Sequence, residues 1–195
     1  MDIVEILIIS DTHIPNRAKA LPEWFYERLK GKHILFHLGD FTSKHVFDEI
    51  DELCNKYNVK FYGVMGNVDD FELDKYVCVD VLNIKICGTH GNQIYPRGDL
   101  NLLDKLGKSM GANIFLHGHT HKLSIDLYNK TLFINPGSLT AAGGGSFKPQ
   151  NETAAEIKLT KDGGILNIEV NNLIDGEAIY VGKYGVDKGK IFKQI

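Results

Sequence analysis

At 195 residues and 43% hydrophobic, the chain has enough apolar material for one domain over 1–195, its motif-bearing core at about 3–170 and a tail at about 171–195. Its 22 basic and 25 acidic residues give a net charge of −3, so no basic surface for nucleic acid is announced. No apolar run approaches the roughly 20 residues of a membrane-spanning helix, and Asp2 and Glu5 stand where a leader would be basic, which makes a cytoplasmic chain the expectation.

The isoleucine-rich run 3–9 has the pattern of a strand buried on both faces, and it ends at Ser10-Asp11-Thr12-His13. Pro15 and Pro22 punctuate the loop that follows, and Pro22 suits the first turn of a helix reaching about Lys30. A second buried strand is predicted over 34–38, ending at Gly39-Asp40. The next helix runs from 43 or 44 to 57. Its apolar residues Val46, Phe47, Ile50, Leu53 and Cys54 recur every three or four positions and make one buried face.

A third strand over 59–64 ends at Gly66-Asn67. Segments 77–82 and 84–87 read as paired strands joined near Asn83, the second ending at Gly88-Thr89-His90-Gly91. A helix from about 99 to 110 precedes the short apolar run Ile114-Phe115-Leu116, which opens onto His117-Gly118-His119-Thr120-His121. Hairpins follow at 123–127 with 131–134 and at 152–159 with 165–170. Gly143-Gly144-Gly145 and Pro149 mark a flexible loop between them. The tail alternates polar and apolar residues in places, as added edge strands would. Helices alternate with strands early and give way to paired strands later, which predicts an α/β fold of two packed sheets with helices outside.

Cys54, Cys78 and Cys87 are odd in number and form no CxxC pair. The expectation is buried free thiols, with neither a zinc knuckle nor a disulfide framework.

Five predicted strand ends carry polar residues: Asp11 with His13, Asp40, Asn67, His90, and His119 with His121. Sites in open α/β sheets lie beyond the carboxyl ends of strands. Taken singly, an aspartate or asparagine after glycine is a turn former or helix cap. Seven such residues together are not explained as turns. Carboxylate, imidazole and amide oxygen suit a borderline divalent ion, with Mn²⁺ the leading choice and Ni²⁺, Fe²⁺ or Zn²⁺ also fitting. Seven donors are too many for one ion and suffice for two that share one. Two aspartates against two divalent ions leave about +2, which favours an anionic substrate such as a phosphate ester. The order of the motifs excludes two rivals. A metallo-β-lactamase needs HxHxDH, whereas His121 is followed by Lys122-Leu123. Amidohydrolase barrels place HxH first and need a longer chain.

Asp11-Thr12-His13, Gly39-Asp40, Gly66-Asn67, Thr89-His90-Gly91 and Gly118-His119-Thr120-His121 resemble the ordered motifs of the calcineurin-like metallophosphoesterases. The compact archaeal and bacterial phosphodiesterases are the branch most resembled, a branch that also holds the eukaryotic retromer subunit. Ile14-Pro15-Asn16-Arg17, Pro96-Arg97-Gly98-Asp99 and Asn135-Pro136-Gly137-Ser138 carry that part of the likeness. The resemblance implies a four-layer αββα sandwich. It also implies one metal held by Asp11, His13, Asp40 and His121, and a second held by Asp40, Asn67, His90 and His119. Asp40, Asn67 and His90 would be the catalytic residues around a metal-bridging hydroxide that attacks phosphorus in line. His117 has no ligand role in the family and is expected to be packed, and His33, His37 and His45 to be structural or surface residues.

Two positions depart from the wider family. Where larger members carry a histidine that assists the leaving group, this chain has Val68, and His90-Gly91 is followed by Asn92 rather than histidine. The implied activity is a dinuclear phosphodiesterase acting on a small anionic phosphoester, with no membrane partner and room for a homo-oligomer. The alternative is a non-catalytic interaction scaffold like the retromer subunit, with a structural metal site.

Overall fold

The computed structural model describes residues 2–144 and 147–194, so Gly145, part of the glycine loop expected to be flexible, lies outside the described residues, as does Ser146. Chain order runs β1 (Asp2–Ile9), α1 (Glu23–Leu29), β2 (Ile34–His37), α2 (Lys44–Tyr57), β3 (Lys60–Gly63), β4 (Tyr76–Val81), β5 (Ile84–Thr89), α3 (Leu100–Met110) and β6 (Ile114–His117). It continues through β7 (Leu123–Tyr128), β8 (Thr131–Pro136), β9 (Thr153–Asp162), β10 (Ile165–Ile174), β11 (Glu177–Asp187) and β12 (Lys190–Lys193). One sheet has the order β12-β11-β10-β9-β1-β2-β3, the other β4-β5-β6-β8-β7.

The continuous apolar run of β1 is explained by its two neighbours. Side chains alternate across a strand. Ile6 and Ile8 therefore join Phe36, Ile86, Ile114 and Ile134 in the core between the sheets. Leu7 and Ile9 face the other way and pack with Leu35 against Phe25 and Leu29 of α1 and Val46 and Ile50 of α2. The second sheet repeats the arrangement, with Cys87, Phe115 and Phe133 turned outward onto Leu103 of α3. Fully burying a side chain such as Phe115 contributes about 2–3 kcal/mol. Helix, sheet, sheet and helix layers make the αββα sandwich that the sequence predicts.

Pairing is parallel between β1 and β2, β2 and β3, and β5 and β6. Their carboxyl ends therefore open on one side of the sandwich. α3 begins at Asp99, whose carboxylate accepts the Leu102 N–H at 2.9 Å, and ends at Gly111 in the left-handed region. The tail adds edge strands: β11 pairs with β10 from Asn167 to Ile174, and β12 closes the edge. No helix among the described residues is long and apolar enough to cross a membrane.

The cysteine expectation is corrected. Cys78 and Cys87 are direct partners in the antiparallel β4–β5 ladder, with Cα atoms 4.1 Å apart, and they form a disulfide. Chain spacing does not reveal this pairing, because it depends on the hairpin register. Only Cys54 is a buried free thiol, pushed up to about 12 by burial and then by Asp51.

Candidate metal centre

The loops after β1 and β2 are laced together by their backbones: Asp11 N–H donates to the Gly39 carbonyl and His13 N–H to the Asp40 carbonyl, both at 3.0 Å. The loop after β6 is tied in by Gly118 N–H to the His90 carbonyl at 2.9 Å. This lacing forces an uncommon backbone. Asp11, His13, Asp40, His119 and His121 all have positive φ, between 49° and 65°. Aspartate and histidine tolerate the left-handed region better than most residues, but each such position still costs roughly 1–3 kcal/mol. The loops hold this strain because their side chains are thereby turned to one point.

Two glycines are required by close approach. A methyl group on Gly66 would collide with the Asp40 backbone nitrogen and carboxylate, and one on Gly118 would collide with the Ser10 hydroxyl and lie 3.0 Å from Asp11 Oδ2. Gly-Asn and Gly-His in the motifs are therefore steric as well as chemical features.

All seven residues singled out in the sequence lie around one place. Donor atoms of Asp11, His13, Asp40 and His121 fall within 4.8 Å of one another, as do those of Asp40, His90 and His119. Asn67 Oδ1 joins the second group at 3.1 Å from His90 Nε2. Asp40 belongs to both groups, with Oδ2 3.4 Å from His13 Nε2 and Oδ1 3.4 Å from His90 Nε2. Apart from the exposed Asn67, these side chains are buried.

The donor set fits divalent ions on three counts. His90 Nδ1 faces the Leu38 carbonyl at 2.8 Å and His121 Nδ1 faces the Ala142 carbonyl at 2.5 Å. Each carbonyl fixes the hydrogen on Nδ1 and leaves the Nε2 lone pair turned inward, the tautomer that metal-binding imidazoles use. His13 Nε2 and His121 Nε2 face each other at 3.3 Å, two imidazole nitrogens converging where a cation would be held. Asp11 Oδ1 is buried with no hydrogen-bond partner, an expensive arrangement unless a cation takes it.

Electrostatics point the same way. Burial would raise Asp11, yet the nearby His13 imidazole, the charges of His90 and His121, and the Ser10 hydroxyl hold its carboxyl well below the usual range. Burial also opposes ionisation of Asp40, but His90 keeps it lowered. His90 is pushed up to about 9: burial lowers it, and Asp40 and Asp11 outweigh that. His119 is pulled down to about 4 by burial, then by His90 and Arg97. His121 is lowered mainly by burial.

Other residues hold this centre, and the sequence analysis assigned them no role. Ser10 Oγ donates to Asp11 Oδ2 at 2.6 Å, and Ser138 Oγ to the Asp11 carbonyl at 2.8 Å. The Asp69 carboxylate accepts N–H groups from Gly66, Asp40 and Thr42 at 2.7, 3.2 and 2.8 Å. Burial raises Asp69, against the hydrogen bonds from Thr42 and Gly66. Its position two residues after Asn67 was the available signal. Val68 adds only its backbone N–H, 3.1 Å from Asp40 Oδ1.

His117 and His37 are buried, whereas His33 and His45 are exposed. His117 is packed, as expected. Asn135 Oδ1 accepts the Gly137 N–H, and its Nδ2 lies 3.0 Å from His117 Nδ1, 3.0 Å from the Gly118 carbonyl and 2.9 Å from Thr120 Oγ1, three partners for two hydrogens, while the remaining ring nitrogen of His117 is Nε2. That Nε2 has no partner among the described residues. Burial pulls His117 down to about 4, so it is neutral near pH 7.

Comparison with known proteins agrees with this geometry. The chain is 38% identical over 133 residues to a probable metallophosphoesterase of Methanocaldococcus jannaschii, covering 68% of this chain and 67% of that one. Vacuolar Protein Sorting 29 from Cryptosporidium parvum superposes with a TM-score of 0.79 at 27% identity, covering 95% of this chain and 99% of that one. Wild-type Vps29 of Entamoeba histolytica complexed with Zn²⁺ does so with a TM-score of 0.76 at 26% identity, covering 93% and 99%. Residues 4–161 match the calcineurin-like phosphoesterase superfamily domain, and the chain belongs to that superfamily.

Proposed function

We propose that this protein is a dinuclear metal-dependent phosphodiesterase acting on a small anionic phosphoester. The observation that carries the reading is the sharing of Asp40 between two clusters of buried donors. Asp11, His13, Asp40 and His121 would hold one ion, and Asp40, Asn67, His90 and His119 the other. Mixed carboxylate, imidazole and amide donors suit Mn²⁺, and also Ni²⁺, Fe²⁺ or Zn²⁺. When bound, such a pair supplies an activated water and neutralises charge on the phosphoryl oxygens.

The chain's own residues do the rest. Asp40 balances charge between the two positions, held by the Val68 N–H and its own N–H to Asp69. Asn67 offers an oxygen without charge, which keeps the centre positive toward an anion. His90 and His121 are oriented by the Leu38 and Ala142 carbonyls. No side chain at position 68 can donate a proton, so the leaving group departs with little help from the protein.

A diester rather than a monoester is supported by two cavities beside the centre. One of about 430 Å³ is lined by Arg97, His117 and Lys122. The other, of about 400 Å³, is lined by Asn67, Lys75 and Asn92. Each has room for one arm of a diester.

Metal analysis of the purified protein, coupled to hydrolysis of bis(p-nitrophenyl) phosphate with and without Mn²⁺, tests the reading. Two equivalents of metal and Mn²⁺-dependent turnover are expected. Two equivalents without turnover under any of the four metals would instead favour an interaction scaffold. The likeness to Vacuolar Protein Sorting 29 is what supports that second reading. The full set of seven donors favours the enzyme.

A further inference from the structure

The cavity of about 430 Å³ has a net positive lining. Arg97 and Lys122 line it, and among the described residues neither enters an ion pair. Thr120 Oγ1, also in the lining, already accepts from Asn135 Nδ2 at 2.9 Å and from Lys122 N–H at 3.1 Å. Its own hydrogen is directed at the Lys122 carbonyl at 3.5 Å. His117 adds a buried imidazole whose Nε2 has no partner among the described residues. Asp126 is the one carboxylate in the lining, against two cations.

The cavity adjoins the metal centre. Gly144 lines it, and a methyl group there would collide with the ring of His121, so that ring stands directly behind the wall. Gly98 lines the opposite side, and its Cβ position is 3.2 Å from Thr120 Cγ2. A phosphoryl group at the centre would thus have one ester arm directed past Thr120. Phe147 also lines the cavity, with Lys122 Nζ 5.2 Å from its ring centroid. An aromatic face beside unpaired cations and hydroxyls suits a planar ring joined to an anion.

We propose that this cavity binds one arm of the phosphodiester and selects a nucleoside-sized arm that carries a second phosphate. Arg97 and Lys122 hold the second phosphate, and Phe147 receives the planar base. The proposal deepens the phosphodiesterase reading and rests on it for the position of the reacting phosphate. It adds what that reading does not state, a substrate defined by charge on the arm remote from the reaction.

Binding tests this without requiring turnover. The Mn²⁺-loaded protein is titrated calorimetrically with adenosine 3′,5′-bisphosphate and with adenosine 5′-monophosphate. Charge-assisted hydrogen bonds to a second phosphate should make the bisphosphate bind about tenfold tighter or more. The Arg97→Ala, Lys122→Ala double variant should bring that ratio below about threefold, and Arg97→Lys should restore part of it. Equal affinities in the wild-type protein overturn the proposal. So does a preference that survives in the double variant, since the bisphosphate would then be reading the metals alone. Hydrolysis of bis(p-nitrophenyl) phosphate is measured on the same preparation. Turnover with no bisphosphate preference removes this inference and leaves the phosphodiesterase standing. A preference lost in the double variant, without turnover under any of the four metals, supports the cavity assignment and removes the enzyme.

Discussion

Asp69 holds Asp40 through its backbone: Asp69 Oδ2 accepts the Asp40 N–H at 3.2 Å and the Gly66 N–H at 2.7 Å, while Oδ1 accepts the Thr42 N–H at 2.8 Å. One carboxylate thereby ties the loop after β2 to the loop after β3. The shared residue of the two donor clusters owes its place to a neighbour that touches no metal donor side chain.

Asp69→Ala should therefore act on both folding and metal content. Three N–H groups lose their acceptor, and part-buried donors without partners cost about 1–3 kcal/mol each before water compensates. A net loss of about 3 kcal/mol is expected in chemical denaturation, with weaker metal retention at both positions. Asp69→Asn keeps one acceptor oxygen and should lose less. An Asp69→Ala protein with unchanged stability and unchanged metal content would show that the loops hold themselves.

Asp40→Asn should reduce occupancy of both metal positions, whereas His121→Ala should mainly empty the one built with Asp11 and His13. Only Asp40 belongs to both donor groups, and the amide removes the charge that balances the pair. Metal content of the two variants decides the matter. Retention of both ions at wild-type affinity by Asp40→Asn sinks the bridging assignment.

With Val68 in place of a proton donor, rates should depend steeply on the acidity of the leaving group, wherever chemistry limits turnover. A nitrophenolate leaves easily and an alkoxide poorly. General-acid assistance is worth roughly 10²–10⁴-fold, about 3–5 kcal/mol of barrier. Val68→His should flatten the dependence by accelerating poor leaving groups more than good ones. Metal content is checked first, because the Val68 N–H also contacts Asp40. A shallow dependence in the wild-type protein would mean that another group already supplies the proton.

His37 should make stability fall with acid. Its Nδ1 accepts the Gly39 N–H at 3.2 Å, so Nε2 carries the hydrogen and faces Thr12 Oγ1 at 3.2 Å. A second ring hydrogen would point at the Gly39 N–H. Burial, with further repulsion from His90 and His13 set against Asp11 and Asp40, pulls the group down from 6.5 to about 3. The unfolded chain takes up the proton below pH 6.5 while the folded chain refuses it until about pH 3. The stability from a neutral His37 is thus fully present above pH 6.5 and is lost progressively as pH falls through that window. At pH 5 the loss is about 2 kcal/mol by linkage. His117, pulled down to about 4 by burial, adds to the same trend. His37→Gln should make the stability–pH profile shallower between pH 4 and 6.5. An unchanged slope would assign the acid sensitivity elsewhere.

The sequence by itself determined the layers and the candidate metal donors of this protein, because both are written in local patterns. The run 3–9 can be apolar throughout only if both faces are covered, and Ile6 and Leu7 indeed enter different cores. Asp11, Asp40 and His119 stand where strands give way to loops, and strand ends are legible from hydrophobic periodicity. Tertiary structure alone decided what depends on distant chain segments meeting. The disulfide of Cys78 with Cys87 required the hairpin register. The left-handed backbone at five of the donor residues required the lacing of three loops. The role of Asp69 required β2 and β3 to lie side by side. The cavity between Arg97 and Lys122 joins the segment before α3 to the one before β7. Periodicity reports which face of an element is buried. It carries no information on which distant residue fills the space opposite, and that choice set the geometry of the centre and of its cavity.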